Sequence, residues 1–194
     1  MPAIVDHESR RAHVARIAAD IIARTGLEAL TMRQIAAEAG FSTAIVTHYF
    51  ANKQELMLHT YRSAALNAQD RVAAALSEAP GDLLACIEAL LPCDEPSRQD
   101  WKVYLAFWRL AALDPDFAAE QASQAIKARA ILRRVLLARA ESGLPLPRQD
   151  VDQLAQHLLV LLIGTAVLAV FDPATWSREA LRDYFIRELG AMGG

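Results

Sequence analysis

Three helix starts crowd the stretch from Thr31 to Lys53, TMRQIAAEAGFSTAIVTHYFANK, and this punctuation limits the chain's folding more than any other feature. Thr31 and Gln34 form a T-x-x-Q capping box, with Leu30 and Ile35 at the N′ and N4 positions of a hydrophobic staple. Gly40 can carry the chain past a helix end. Ser42 is a strong N-cap, and Asn52 with Glu55 makes a second box, N-x-x-E, that opens a third helix. The local order is helix, turn, helix, turn, helix, and two helices joined by a short turn containing Gly make a helix-turn-helix unit.

The middle helix shows what such a unit can do. If Val46 and Phe50, one turn apart, pack against Ile35 and Ala36, then Ala44, Ile45, Thr47 and His48 face outward. That outward face is short and uncharged, and it can hydrogen-bond or touch a methyl group. Such a face suits a helix lying in a DNA major groove. A small helical hairpin inside a larger bundle is the alternative, because the same shape occurs in proteins that bind no nucleic acid.

The rest of the chain also reads as helical. Val14, Ile17, Ala18, Ile21 and Ile22 recur at helical spacing from about His7 to Thr25, preceded by a loose arm over residues 1 to 6 and ended by Gly26. A long helix follows Asn52 and breaks at Ala79, Pro80 and Gly81. Asp82 caps a short helix to Leu91. After a loop over Pro92 to Pro96, Ser97 caps another that stops before Asp114 and Pro115. The next runs from about Asp116 to Glu141, and Leu144 to Pro147 form a stiff connector. The last two span about Asp150 to Phe171 and Ser177 to Met192. No stretch alternates with period two, so the expected fold is all-α, with about nine helices. Its expected division is residues 1–52, a three-helix part that holds the helix-turn-helix, and residues 53–194, a larger helical part.

The net charge of −3 is not that of a general nucleic-acid coat. Residues 1–62 carry seven Lys or Arg against six Asp or Glu, while residues 63–194 carry thirteen against seventeen. Only the N-terminal part escapes repulsion by phosphate. The two cysteines, Cys86 and Cys93, are too few for a disulfide framework or a zinc site, which fits a reducing, cytoplasmic setting. No basic segment leads into an apolar one as in an export signal. The apolar run Leu158 to Phe171 falls short of the ~18 residues of a membrane span and reads as a buried helix.

The segment from Thr31 to Leu56 resembles the DNA-binding region of the TetR family of bacterial transcriptional repressors. The resemblance lies in Thr-hydrophobic-Arg-x-Ile-Ala-x-x-Ala-Gly, a Ser-Thr helix start, and His-Tyr-Phe-x-Asn-Lys-x-x-Leu. It implies a homodimer reading a near-palindromic double-stranded operator, with a small molecule in the C-terminal domain altering the spacing of the two N-terminal domains. Carried onto this chain, it offers Thr43, Ala44, Ile45, Thr47 and His48 as base or near-base contacts. Thr31, Arg33, Tyr49 and Lys53 are offered as phosphate contacts. Arg10, Arg11 and Arg16 lie beside this unit, where some can touch phosphate or simply form a solvated face.

A narrower resemblance is to the choline-responsive BetI group. It rests on Ser42 to Phe50 and on the run Trp101-Lys-Val-Tyr-Leu-Ala-Phe-Trp108. Trp101, Tyr104 and Trp108 fall on one helix face with Phe107 beside them. Aromatic faces around a cavity attract a quaternary ammonium group by about 0.5–2 kcal/mol per ring. An ordinary core stripe has the same spacing. Gly164, Thr165 and Ala166 stand where that group carries bulkier residues, leaving room for a larger apolar effector and making Thr165 a candidate ligand contact.

Apolar nearly all round, the penultimate helix calls for cover on two sides. With the final helix it predicts a four-helix interface through Leu158, Leu161, Leu162, Thr165, Leu168, Leu181, Tyr184 and Phe185. A central helix buried within one chain is the alternative. There is no phosphate-binding Gly-rich loop, no H-E-x-x-H and no Glu-x-x-His pair, so no catalytic residue, metal site or cofactor is assigned. An adaptor without DNA binding remains the competing function, and no membrane partner is expected.

Overall fold

A computed structural model describes residues 3–146 and 150–192. Among these residues it is all-α: α1 (Ala3–Thr25), α2 (Met32–Ala39), α3 (Thr43–Tyr49), α4 (Lys53–Glu78), α5 (Leu83–Leu90), α6 (Glu95–Ala111), α7 (Pro115–Glu141), α8 (Val151–Phe171) and α9 (Arg178–Met192). Helix α1 begins at Ala3, so residues 3–6 of the expected loose arm are helical, and residues 1 and 2 lie outside the described residues. Pro147 of the expected connector lies outside them too.

Local chemistry accounts for most helix ends. The Gln34 N–H donates to Thr31 Oγ1 at 3.1 Å, although the Gln34 amide turns to Glu38 rather than closing the box. Gly40 has φ +69°, a left-handed conformation. Its N–H reaches the Ala37 carbonyl and the Phe41 N–H reaches the Ala36 carbonyl, the crossed pair of a Schellman turn. Helix α6 departs from the expectation, because its cap is Asp94 and not Ser97. Ser97 N–H donates to Asp94 Oδ1 at 2.8 Å while the Asp94 N–H donates to Ser97 Oγ at 3.1 Å. An Asp caps as well as a Ser, and Pro96 is tolerated in a first turn whose N–H groups lack helical partners.

The chain packs as two units. The first comprises residues up to 66 together with 102–121. Its core joins Ile21, Leu30, Ile35, Val46, Phe50, Leu56, Met57, Tyr61, Val103, Phe107 and Phe117, all buried. Phe107 stacks on Tyr61 with ring centroids 3.8 Å apart, and Phe117 lies 5.0 Å from Phe107. Burying a side chain of this size contributes about 1.5–3 kcal/mol.

The second unit comprises residues 67–101 and 122 onward. Leu83, Ile87, Leu132, Leu136, Leu154, Leu158, Leu162, Leu181 and Phe185 are buried in it. One polar network lies among them. Asp100, almost fully buried, accepts from Arg71 Nη1 at 2.7 Å and from Asn67 Nδ2 at 3.1 Å, and Arg71 Nε donates to the Ala89 carbonyl at 3.0 Å. Both cysteines are free thiols whose pKa burial pushes up to about 11.

Helix α8 has the expected extent at 21 residues, but as a whole, unlike its Leu158 to Phe171 run alone, it is long and apolar enough by composition to cross a membrane. It is instead a packed helix with one buried face, formed by Leu154, Ala155, Leu158, Leu159, Leu162, Thr165, Ala166 and Ala169.

Phe107 is the central ring of the first unit's aromatic stack. Phe107→Ala should therefore destabilise the fold by about 3–5 kcal/mol in urea unfolding followed by circular dichroism. A loss below about 1 kcal/mol would mean that the stack is not a stabilising core.

Candidate nucleic-acid interface

Helix α3 is seven residues long, and every feature that holds it comes from its neighbours or its ends. The Ile45 N–H donates to Ser42 Oγ at 3.3 Å, giving the helix its cap. Val46 and Phe50 are fully buried among Ile35, Ala36 and residues of α1. With these anchored, Thr43, Ala44, Ile45, Thr47 and His48 all lie exposed, as the alternation of faces predicts. The exposed face carries no Asp, Glu, Lys or Arg and includes Ile45, an apolar side chain 38% exposed. Thr47 Oγ1 lies 3.1 Å from both the Thr43 and Ala44 carbonyls. Its proton is thus held by the helix, and it offers outward an acceptor and a methyl group.

The positions assigned to phosphate flank this helix. Thr31, Arg33 and Lys53 are exposed. The Lys53 ammonium donates to the Leu27 carbonyl at 3.3 Å, which holds it at the start of α4 where backbone N–H groups also favour an anion. Tyr49 differs from the rest: it is only 8% exposed and accepts from Arg10 at 3.4 Å through its hydroxyl, which makes it a packing residue of this unit. The rings of His7 and His48 lie 6.2 Å apart, and each stands edge-on to Tyr49.

One group of contacts at this site has no signal in the local sequence. Arg11 donates through Nη1 to the Tyr49 carbonyl and through Nη2 to Glu55 Oε1 at 3.1 Å, and its guanidinium carbon lies 4.4 Å from the centre of the Phe50 ring. Glu55 also accepts the Ala51 N–H at 2.8 Å. The Ala51 N–H, then Arg11, hold the Glu55 carboxyl below its usual 4.5. Burial, then the nearby charge of Arg11, lowers the pKa of His59, whose ring lies beside Phe50.

The aromatic residues assigned to an effector divide between the units. In the first, Tyr104 and Phe107 gather around Tyr61, with Tyr61 and Tyr104 ring centres 5.7 Å apart, and the Tyr104 hydroxyl donates to the Ala64 carbonyl at 2.8 Å. Trp108 packs half-buried against the same core. Tyr61 and Phe117, which complete the cluster, were not singled out from the sequence because they come from other helices. Burial pushes the Tyr61 pKa to about 12, so its hydroxyl stays protonated and donates to Gln121. Trp101 belongs to the second unit, where it is buried and its Nε1 donates to the Leu90 carbonyl at 2.8 Å. Thr165 is buried in that unit with its hydroxyl donating to the Leu161 carbonyl. Gly164 is exposed, and a Cβ added there would meet nothing within 4 Å. Its small size therefore opens the helix surface rather than enlarging a pocket.

Of the residues assigned to a partner-facing surface, Leu158, Leu162, Thr165, Leu181 and Phe185 are buried within their own chain, and Leu161 and Tyr184 are half-buried. Leu168 alone is exposed, at 50%. The open apolar stripe runs along the other side of α8 through Val160, Gly164, Leu168 and Phe171, with Ile186 of α9 also exposed.

A family model described as "Bacterial regulatory proteins, tetR family" matches residues 16–60, and one described as "BetI-type transcriptional repressor, C-terminal" matches residues 80–192. The chain belongs to the TetR family. Within it the C-terminal part is BetI-like, and such proteins are DNA-binding transcriptional regulators, not enzymes. The TetR-family chain is similar to the regulator PksA of Bacillus subtilis, at 26% identity over 99% of this chain and 94% of PksA. It is similar to BetI of Vibrio campbellii, at 28% identity over 97% and 96%. A transcriptional regulator of Saccharomonospora viridis, solved in complex with choline, shares the fold with a TM-score of 0.78 at 24% identity, covering 91% and 93% of the two chains.

The Glu55 shift has a definite sign. Because folding lowers its pKa, the carboxylate stabilises the fold above about pH 4.5, and that contribution is lost as pH falls through the lowered folded value. Thermal melting between pH 3 and 6 should show the wild type losing stability on acidification more steeply than Glu55→Gln, which starts lower and varies less. Parallel curves for the two proteins would remove Glu55 from the account.

Proposed function

We propose that this TetR-family regulator is a repressor that binds a near-palindromic operator as a homodimer in the cytoplasm and is released by a small-molecule effector. The observation that carries the DNA-reading part is the exposed, short-chained face of α3 on a helix whose other side is locked into the core. Ala44 and Ile45 meet thymine methyls, while Thr43, Thr47 and His48 meet base edges or nearby phosphates. Thr31, Arg33, Tyr49 and Lys53 hold the backbone. In this reading residues 1–52 form the DNA-binding domain, and residues 53–194 carry effector response and pairing.

The effector is a quaternary ammonium compound or a larger apolar molecule. Support comes from the BetI-type match over residues 80–192, from the choline complex of the Saccharomonospora regulator, and from the aromatic side chains Tyr104, Phe107 and Trp108 gathered near Tyr61. Trp101 and Thr165 are not carried forward as contacts, because both are buried with their polar atoms bonded to backbone carbonyls.

Pairing uses the open stripe of α8. Val160, Leu168 and Phe171 are 60%, 50% and 74% exposed, an apolar surface that a second copy would cover, and Gly164 lets two helices approach closely. Leu168→Glu should shift the protein to monomer in sedimentation at micromolar concentration without unfolding it. A dimer that persists in this variant and in Phe171→Glu would place the interface elsewhere.

For DNA, the test is binding to the sequence upstream of the chain's own gene across a salt series. Lys53→Ala should weaken binding to every sequence and reduce the salt slope by about one contact, whereas Thr47→Ala should weaken specific sites by about 1–3 kcal/mol and leave the slope unchanged. If neither variant alters binding, α3 is not the reading element.

A further inference from the structure

We propose that Arg11 is the positioning residue of the recognition helix, fixing the angle at which α3 is presented and making no contact with DNA itself. The inference rests on the assignment of α3 as the DNA-reading element. Arg11 lies on α1, yet its guanidinium reaches the junction between α3 and α4. Its Nη1 donates to the carbonyl of Tyr49, the last residue of α3, and its Nη2 to Glu55 in the first turn of α4, while its planar face covers Phe50 in the turn between them. The side chain is only 19% exposed.

Each contact matches a local need. The last carbonyls of a helix lack intrahelical partners and carry partial negative charge, so a cation there is favoured. The first turn of a helix favours an anion, which Glu55 supplies while accepting the Ala51 N–H at 2.8 Å. One ion pair therefore complements two helix ends and spans the turn that joins them. A guanidinium is suited to this because its donors diverge in a fixed plane and the plane itself stacks on a ring, whereas an ammonium offers neither. With two donor groups and one face turned inward, Arg11 differs from Arg33 and Lys53, which are exposed.

The test combines amide exchange of the free protein with DNA binding, using Arg11→Lys, Arg11→Met, Glu55→Gln and the double variant Arg11→Met/Glu55→Gln. In Arg11→Met, exchange should rise about tenfold or more at Ile45 to Tyr49 and at Ala51, with α5 and α8 unchanged. Arg11→Lys should not rescue it. Glu55→Gln should produce the same pattern, and the double variant should add little, as expected for residues acting as a unit. Operator affinity should fall about tenfold, unrelated duplex binding should change far less, and the salt slope should stay that of the wild type.

Unchanged exchange across α3 in a folded Arg11→Met variant would overturn the proposal, as would a salt slope reduced by about one, which would mark Arg11 as a phosphate contact. If the wild type fails to distinguish operator from unrelated DNA, the DNA-reading assignment fails, and the exchange comparison alone then decides the role of Arg11.

Discussion

A seven-residue helix cannot hold itself together in water, and α3 is one. Isolated helices shorter than about 12–15 residues are marginal, since nucleation fixes several residues for the first hydrogen bond. Its order must come from outside: the Ser42 cap at one end, Val46 and Phe50 buried along one side, and the Tyr49 carbonyl held at the other end. This dependence also frees the outward face. Because Ala44, Ile45 and Thr47 lie exposed and His48, among the described residues, touches only the His7 and Tyr49 rings, the proposed reading leaves these side chains to be chosen for what they meet in a groove.

Helix α8 presents the opposite problem, too much apolar surface for one chain to cover. A core helix of a monomer is enclosed, and a surface helix carries a polar side. Here one side is enclosed by Leu154, Leu158, Leu162 and Ala166, while Val160, Leu168 and Phe171 stand in the open. The sequence could announce that two surfaces were needed, but not which was which, because Leu and Val occupy both sides. Leu158 and Leu162 are therefore core residues, and the available face lies on the far side of the same helix.

The same distinction explains what else was legible. Helix ends are local events: Thr31, Ser42, Asn52 and Asp82 mark them through side chains that accept an N–H three positions on, and Gly40 through its left-handed backbone. Asp94 was missed because Ser97 is an equally good cap, and the sequence does not say which member of a reciprocal pair begins the helix. Arg11 was legible only as a basic residue near the reading unit. Its partners Tyr49 and Glu55 are 38 and 44 positions away, and no spacing rule connects them. The aromatic stripe on α6 was visible by periodicity. Tyr61 and Phe117, which turn part of it into a stack, belong to helices that only the fold brings alongside.

Charge shows why the aim of α3 matters more than its field. The first 62 residues carry an excess of only one positive charge. Several of their cations are also paired inside the protein: Arg11 with Glu55, Arg24 with Glu38 and Arg62 with Glu120. Exposed pairs add little to stability, but each removes a cation that would otherwise release counterions from DNA. A headpiece of this kind attracts DNA weakly and without preference. In the proposed reading its affinity for one site comes from accurate base contacts on α3, multiplied when a second headpiece is held within reach, since a tethered second contact counts as an intramolecular step. Both terms are geometric. Under the proposed roles of Arg11 and of α8, an error of angle at the junction of Tyr49, Arg11 and Glu55 spoils the first and an error of spacing set through α8 spoils the second, so those two places, rather than the exposed charges, are where a small movement has the largest effect.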